Sequence, residues 1–204
     1  MKLQVALDRM SREACHSVLE ETKDYVDIIE VGTGVIKEYG MDIVRDLRES
    51  YPHHEILADM KTCDAGKAET LQALEAGADI TTVMAFSSEA TIKTCLEAAH
   101  GKGRVMIDLL GVTERSKVER LRSIGVDFVS LHIGKDQQQG GGISAESFSV
   151  VAETGVQVAV AGGVSLKTID EVVGEKPDVV IVGSGITKAD DPKGAARLFK
   201  EAMT

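Results

Sequence analysis

The chain has 204 residues, of which 43% are hydrophobic, and its formal net charge is -10 at pH 7. This length suits one domain with a large core, so we predict a single domain over residues 1–204. The acidic balance and an aromatic content of only 3% argue against nucleic acid and membrane surfaces as partners, because those partners need clustered basic residues or stacking rings.

Short β-branched runs alternate with stretches of helical periodicity along the whole chain. The predicted strands are 3–7, 27–31, 55–58, 80–84, 104–109, 128–131, 157–161 and 179–182. The predicted helices are 11–22, 40–50, 66–76, 90–100, 113–124, 145–153, 166–174 and 191–203. Eight strand–helix units at a spacing of about 25 residues predict an α/β fold, a closed (β/α)₈ TIM barrel. The alternative is an open doubly wound sheet, but no Gly-x-Gly-x-x-Gly fingerprint follows the first strand.

The third predicted strand ends in a motif of charged residues, Asp59-Met60-Lys61-Thr62-Cys63-Asp64, followed by Ala-Gly. Because residues two apart in a strand share a face, we expect Asp59 and Lys61 to project together at the catalytic, carboxyl end of the barrel. A lysine flanked by carboxylates stays protonated and can stabilise a developing oxyanion. Taken alone, the motif is also compatible with a surface salt-bridge cluster at a helix start.

Titratable side chains also stand in or at the end of other strands, namely Asp8, Glu30, Asp108 and His132. A glutamate inside an apolar strand is costly to bury unless it is paired or bound to a metal. Glu30 and Asp59, with Asp108 nearby, predict a Mg²⁺ site, and pairing of Glu30 with Lys61 is the structural alternative. His132 is the best candidate for a general acid/base, since its reference pKa is about 6.5.

Two glycine clusters follow the last two predicted strands, Ala-Gly-Gly at 161–163 and Val-Gly-Ser-Gly at 182–185. Loops at these places in a barrel commonly bind phosphate through backbone N–H groups, so we predict a small phosphorylated, carbonyl-bearing ligand. A further Gln/Gly run at 137–142 follows the sixth strand, and we expect a mobile lid there.

Cysteine usage indicates the compartment. Cys15, Cys63 and Cys95 are odd in number, far apart and lack metal-type spacing, so a disulfide framework or a structural zinc site is not expected. No stretch is long and apolar enough to span a bilayer. We therefore expect a cytoplasmic protein.

Several motifs together resemble a known family. They are Leu7-Asp8, Ile29-Glu30-Val31-Gly32-Thr33, Ala58 through Gly66, Val160-Ala161-Gly162-Gly163 and Val182-Gly183-Ser184-Gly185. The chain is similar over nearly its whole length to the orotidine-monophosphate decarboxylase suprafamily, in its branch of 3-hexulose-6-phosphate synthases and 3-keto-L-gulonate-6-phosphate decarboxylases. The resemblance implies a homodimeric barrel, Mg²⁺ and an enediolate intermediate.

The resemblance also implies roles for individual residues. Glu30 and Asp59 would ligate Mg²⁺, and Lys61 would stabilise the enediolate. Asp64 would reach across the dimer into the other site, Asp8 would contact the sugar and His132 would move protons. The implied substrate- and phosphate-binding residues are Gly162, Gly163, Gly183, Ser184, Asp108 and Lys135.

Within this branch the residues favour one activity, the addition of formaldehyde to D-ribulose 5-phosphate. The residues that favour this activity are Thr62, Asp108, Ala161 and Ser184. Lys135 is the exception, because many synthases have an apolar residue there and the gulonate decarboxylases an arginine, so decarboxylation stays open as the alternative. A non-catalytic phosphosugar-binding barrel is the alternative from another class, although such a protein would need only the glycine loops.

Overall fold

The computed structural model describes residues 1–140 and 142–204, and its eight parallel strands close into a barrel in chain order. The strands are β1 (Lys2–Leu7), β2 (Ile28–Val31), β3 (Glu55–Thr62), β4 (Ile80–Met84), β5 (Arg104–Asp108), β6 (Phe128–His132), β7 (Gln157–Ala161) and β8 (Val179–Val182). Pairing of β8 with β1 completes the ring. The predicted (β/α)₈ barrel is confirmed.

Helices connect successive strands on the outside of the barrel. They are α1 (Arg12–Thr22), α2 (Thr33–Tyr39), α3 (Asp42–Ser50), α4 (Gly66–Glu75), α5 (Glu89–Ala99), α6 (Arg115–Ser123), α7 (Ile169–Gly174), α8 (Ser184–Thr187) and α9 (Pro192–Ala202). Two 3₁₀ segments, Lys135–Gly140 and Ala145–Val150, lie between β6 and β7. Within the described residues, none of these helices is long and apolar enough to cross a membrane.

Three predicted elements differ from the structure. The helix predicted at 40–50 is α3 alone. It is preceded by α2, which ends at Tyr39 and is followed by Gly40 with a φ of 63°. The helix predicted at 145–153 is a shorter 3₁₀ segment, Ala145–Val150, which begins at a capping box formed by Ser144 and Ser147. Strand β3 runs to Thr62 instead of stopping at 58, since its pairing with β4 resumes after a register shift.

The predicted lid at the Gln/Gly run is only partly covered by the structure. Residues 135–140 form the first 3₁₀ segment, and Gly142 packs against Gly163, where an added Cβ would lie 2.7 Å from the Gly142 Cα. Gly141 lies outside the described residues. The lid therefore stays a prediction.

Alternation along the strands produces two apolar layers. Residues such as Ile56 and Ala58 point outward into the layer under the helices, whereas Leu57 points into the barrel. The interior layer consists of Ile28, Leu57, Ile80, Met106, Phe128, Ala159, Val179 and Ile181. Residues two positions further along most of these strands lie one layer closer to the carboxyl end, and this layer carries the polar side chains described below.

Candidate active site at the carboxyl end of the barrel

A cavity of about 870 Å³ opens at the carboxyl ends of the strands. It is lined by eleven of the twelve residues predicted from the sequence: Asp8, Glu30, Asp59, Lys61, Asp108, His132, Lys135, Gly162, Gly163, Gly183 and Ser184. Ligand sites of TIM barrels lie at this end. The cavity is therefore the candidate active site.

Lys61 joins two carboxylates in the middle of this site. Its Nζ lies 3.2 Å from Asp59 Oδ2 and 2.5 Å from Asp108 Oδ2, so Asp59 and Lys61 do project together. Burial alone would lower the pKa of Lys61, but the two carboxylates raise it above its ordinary value. Lys61 is therefore a fixed positive charge at neutral pH.

An irregular strand end places this lysine. Lys61 has a φ of 49°, which is unusual for a residue with a side chain, and it lies where the β3–β4 register shifts. Its backbone N–H donates to Thr82 Oγ1 at 2.9 Å instead of to a strand carbonyl. Backbone conformations of this kind persist only where surrounding contacts hold them, and they concentrate at functional sites.

Asp108 links Lys61 to His132. The Nδ1 atom of His132 lies 3.0 Å from Asp108 Oδ2, and the Leu110 N–H donates to Oδ1 at 2.8 Å. Burial would raise the pKa of Asp108, but His132 and Lys61 together lower it to about 2. Because an ionised carboxylate can only accept, Nδ1 of His132 is the donor, which leaves Nε2 as the nitrogen able to exchange a proton with a ligand.

Glu30 lies deep in the cavity beside Asp59. Gln4 Nε2 donates to Glu30 Oε2 at 2.6 Å, and the described residues show no ion pair between Glu30 and Lys61. Burial, together with the charge of Asp59, raises the pKa of Glu30 to about 8. The structural alternative, a direct Glu30–Lys61 pair, is thus absent from the described part of the chain.

These carboxylates fit a hard divalent cation. Repulsion between Glu30 and Asp59 raises the pKa of Glu30, and a bound cation would relieve that repulsion. Within the described residues, no three His, Cys, Asp or Glu side chains gather closely enough to hold an ion by themselves. Mg²⁺ commonly binds through one or two carboxylates and completes its shell with water and substrate oxygens, so the donor set suits it.

The glycine loops form the opposite wall of the cavity. Gly162 has a φ of 111°, and a Cβ there would lie 2.4 Å from the Ile133 carbonyl oxygen. Gly183 and Ser184 follow β8 and line the same wall. Only glycine fits the close approach at position 162, and the wall exposes backbone that can receive a phosphate group.

The remaining predicted residues lie at the rim or beyond it. Asp8 Oδ1 accepts from the Gly34 N–H at 2.9 Å, and Lys135 Nζ donates to Gln138 Oε1 at 3.3 Å. Asp64 is exposed and does not line the cavity. Within its own subunit, Asp64 is thus not brought together with the other site residues.

Three polar side chains of the site were missed by sequence reasoning. Gln4 bonds to Glu30, and the hydroxyls of Thr33 and Thr82 bond to Asp59. Strand alternation carried a usable signal, because Gln4 and Thr82 are polar residues at inward-facing positions of otherwise apolar strands. Thr33 carried no such signal.

Comparisons with known proteins agree with this geometry. Residues 1–199 match the model of the Orotidine 5'-phosphate decarboxylase / HUMPS family. The chain is 38% identical to a 3-hexulose-6-phosphate synthase of Bacillus subtilis (strain 168), and the match covers 100% of this chain and 99% of that protein. A solved 3-hexulose-6-phosphate synthase from Salmonella typhimurium is 37% identical with a TM-score of 0.96, covering 100% and 98% of the two chains. A solved 3-keto-L-gulonate-6-phosphate decarboxylase from Vibrio cholerae is 28% identical with a TM-score of 0.89, covering 99% and 96%.

Proposed function

The chain belongs to the Orotidine 5'-phosphate decarboxylase / HUMPS family, and we propose that it is a 3-hexulose-6-phosphate synthase that joins formaldehyde to D-ribulose 5-phosphate. Like its curated relatives, it is an enzyme of the carbon–carbon lyase class. The observation that carries the proposal is the full-length similarity to these synthases. The cluster of Lys61 between Asp59 and Asp108 supports it chemically, because a binding protein has no need for a half-buried cation held between two carboxylates in its cavity.

In the proposed reaction, D-ribulose 5-phosphate loses a proton beside its carbonyl and forms an enediolate. The nucleophilic carbon of the enediolate attacks the carbonyl carbon of formaldehyde. One carbon–carbon bond forms, and a proton delivered to the formaldehyde oxygen completes D-arabino-hex-3-ulose 6-phosphate. The reverse reaction is an aldol cleavage.

Two side chains of the cluster suit these steps. The Lys61 ammonium, held by Asp59 and Asp108, stabilises negative charge on the substrate oxygen as the proton leaves. His132 moves protons through Nε2, because Asp108 fixes the proton on Nδ1. Asp108 thereby orients both groups toward the same substrate.

Glu30 and Asp59 would hold Mg²⁺ beside the sugar oxygens. When bound, Mg²⁺ supplies Lewis-acid polarisation of the carbonyl and stabilises charge on its oxygen. Chelation should therefore abolish turnover. The backbone at Gly162, Gly163, Gly183 and Ser184 would receive the phosphate, which sets the distance from the phosphate to the reacting carbons.

The proposal includes a homodimer in the cytoplasm. Asp64 is exposed at the β3–α4 junction, so a role in catalysis requires that it reach the cavity of a second copy. The free thiols of Cys15, Cys63 and Cys95 suit a reducing compartment.

Lys135 supports a second candidate activity. It lines the cavity and adds positive charge there, at the position where the decarboxylases of the resemblance carry an arginine. Decarboxylation of 3-keto-L-gulonate 6-phosphate passes through the same kind of enediolate. A secondary decarboxylase activity in the same cavity is therefore part of the test.

Two parallel assays decide between these activities. Formaldehyde consumption is measured with D-ribulose 5-phosphate and Mg²⁺, and CO₂ release is measured with 3-keto-L-gulonate 6-phosphate, each with and without EDTA. We expect EDTA-sensitive formaldehyde uptake to exceed CO₂ release. Predominant CO₂ release would favour the decarboxylase, and phosphosugar binding without turnover in either assay would favour a binding protein.

A further inference from the structure

A hydroxyl group lies against each oxygen of the Asp59 carboxylate. Thr82 Oγ1 donates to Oδ1 at 2.7 Å. Thr33 Oγ1 lies 2.7 Å from Oδ2 and 2.8 Å from the Asp59 carbonyl oxygen, so its one proton is shared between these two acceptors. Thr82 belongs to β4 and Thr33 begins α2, so the two hydroxyls approach from opposite sides of β3. Asp59 itself is buried, with 8% of its surface exposed.

Thr82 also holds the backbone of Lys61. The Lys61 N–H donates to Thr82 Oγ1 at 2.9 Å, so the same hydroxyl accepts from one site residue while it donates to the other. A hydroxyl can do both at once because it has one proton and two lone pairs. The left-handed backbone of Lys61 and the carboxylate of Asp59 are therefore fixed by one side chain.

The neighbouring residue shows that this arrangement is not a requirement of the strand. Thr81 is fully buried on the outward face of β4, and its hydroxyl has no hydrogen-bond partner within the described part of the chain. Threonine at position 81 is explained by its preference for strands. The Thr82 hydroxyl, by contrast, both accepts a hydrogen bond from Lys61 and donates one to Asp59.

We propose that Thr82 and Thr33 are positioning residues that fix the orientation of Asp59 for Mg²⁺ and for Lys61. Without them, the carboxylate is free to rotate toward the Lys61 ammonium, which already lies 3.2 Å from Oδ2. The loss of a group that orients a metal ligand typically weakens metal binding or activity about 10–100-fold. The inference rests on the proposed function in one respect, namely that Asp59 is a Mg²⁺ ligand.

The test compares the wild-type protein with four variants. Thr82→Val and Thr33→Val each remove one hydroxyl and keep the side-chain shape, Thr82→Ser keeps the hydroxyl, and Thr81→Val is the matched control on the same strand. Calorimetry measures the Mg²⁺ affinity of each metal-free protein. Formaldehyde consumption then gives kcat and KM for each.

We expect Thr82→Val and Thr33→Val to weaken Mg²⁺ binding by about 10–100-fold and to lower kcat by about tenfold, with a smaller change in the KM for sugar phosphate. Thr82→Ser should restore the affinity to within about threefold of wild type, and Thr81→Val should match wild type. Circular dichroism checks folding, and Thr33→Val carries the test alone if Thr82→Val does not fold.

The outcomes separate the inference from the proposed function. Equal Mg²⁺ affinities in all five proteins, or no measurable binding in any of them, would overturn the inference. A wild-type protein that consumes no formaldehyde would refute the proposed synthase activity, whereas the difference in Mg²⁺ affinity between the position 82 and position 81 variants would still decide the inference.

Discussion

Replacing Lys61 with methionine tests the centre of the site. The substitution keeps most of the side-chain length and removes the charge that lies 3.2 Å from Asp59 and 2.5 Å from Asp108. If Lys61 stabilises the enediolate oxygen, the loss should resemble the removal of an oxyanion-hole donor, which lowers kcat by about 10²–10³-fold. KM for the sugar phosphate should change much less, because the glycine loops that would hold the phosphate are untouched.

The same substitution should destabilise the protein. Breaking a buried charge pair by removing one partner costs about 3–5 kcal/mol. The Lys61 side chain is 27% exposed, so we expect the lower end of that range, about 3 kcal/mol at pH 7.

The destabilisation should depend on pH. In the wild type, His132 and Lys61 lower the pKa of Asp108 from 3.8 to about 2, so the folded state binds fewer protons than the unfolded state and loses stability as pH falls through this window. Without Lys61 the His132 contact remains, so the pKa of Asp108 is lowered less in the variant, and the variant loses less stability over the same window. The stability difference should therefore narrow on acidification.

Urea unfolding followed by circular dichroism at pH 7, about 4 and about 3 measures this difference. Lys67→Met is the matched control, because Lys67 is an exposed lysine on α4 that does not line the cavity. Turnover of Lys61→Met within threefold of wild type, or a stability loss that is the same at every pH, would refute the reasoning.

Three further predictions concern other parts of the site. Because the pKa of Glu30 is raised from 4.5 to about 8, the metal-free folded protein binds an extra proton between these pH values, so its stability should fall as pH rises from 4.5 to 8. Urea unfolding in EDTA measures this fall, and the Glu30→Gln variant should not show it. Gly162→Ala places a Cβ 2.4 Å from the Ile133 carbonyl oxygen at a φ of 111°, so it should lower stability by about 1–3 kcal/mol and raise the KM for sugar phosphate. Thermal unfolding and kinetics that match wild type would contradict the close approach. If Asp64 completes the partner's site, mixing the inactive Lys61→Met and Asp64→Asn proteins should restore about a quarter of wild-type turnover. The reason is that half of randomly mixed dimers are heterodimers, and each heterodimer has one intact site of two. A mixture that forms heterodimers but stays inactive would argue against the shared site.

The sequence was sufficient to predict the barrel. Each β-branched run buries both faces, one against the helices and one inside the ring, so the runs stand out from the amphipathic helices between them. The last four residues of β3 were harder to predict from the sequence, because residues 59–62 are mostly polar or charged and pair with β4 only after a register shift. Helix α2 was missed because it is short and ends at Tyr39, only three residues before α3 begins at Asp42.

The sequence alone also placed eleven of the twelve candidate site residues around one cavity, because parallel strands bring their carboxyl ends to one edge. Tertiary structure decided which of these side chains contact one another. That Lys61 pairs with Asp108 as well as Asp59 depends on register and on the left-handed backbone at position 61. That Glu30 bonds to Gln4, and that hydroxyls from two other elements bond to Asp59, depends on register. Apart from the Lys61–Asp59 pair, these contacts join residues 23 to 47 positions apart, and the order of residues along a chain does not specify distances across a barrel.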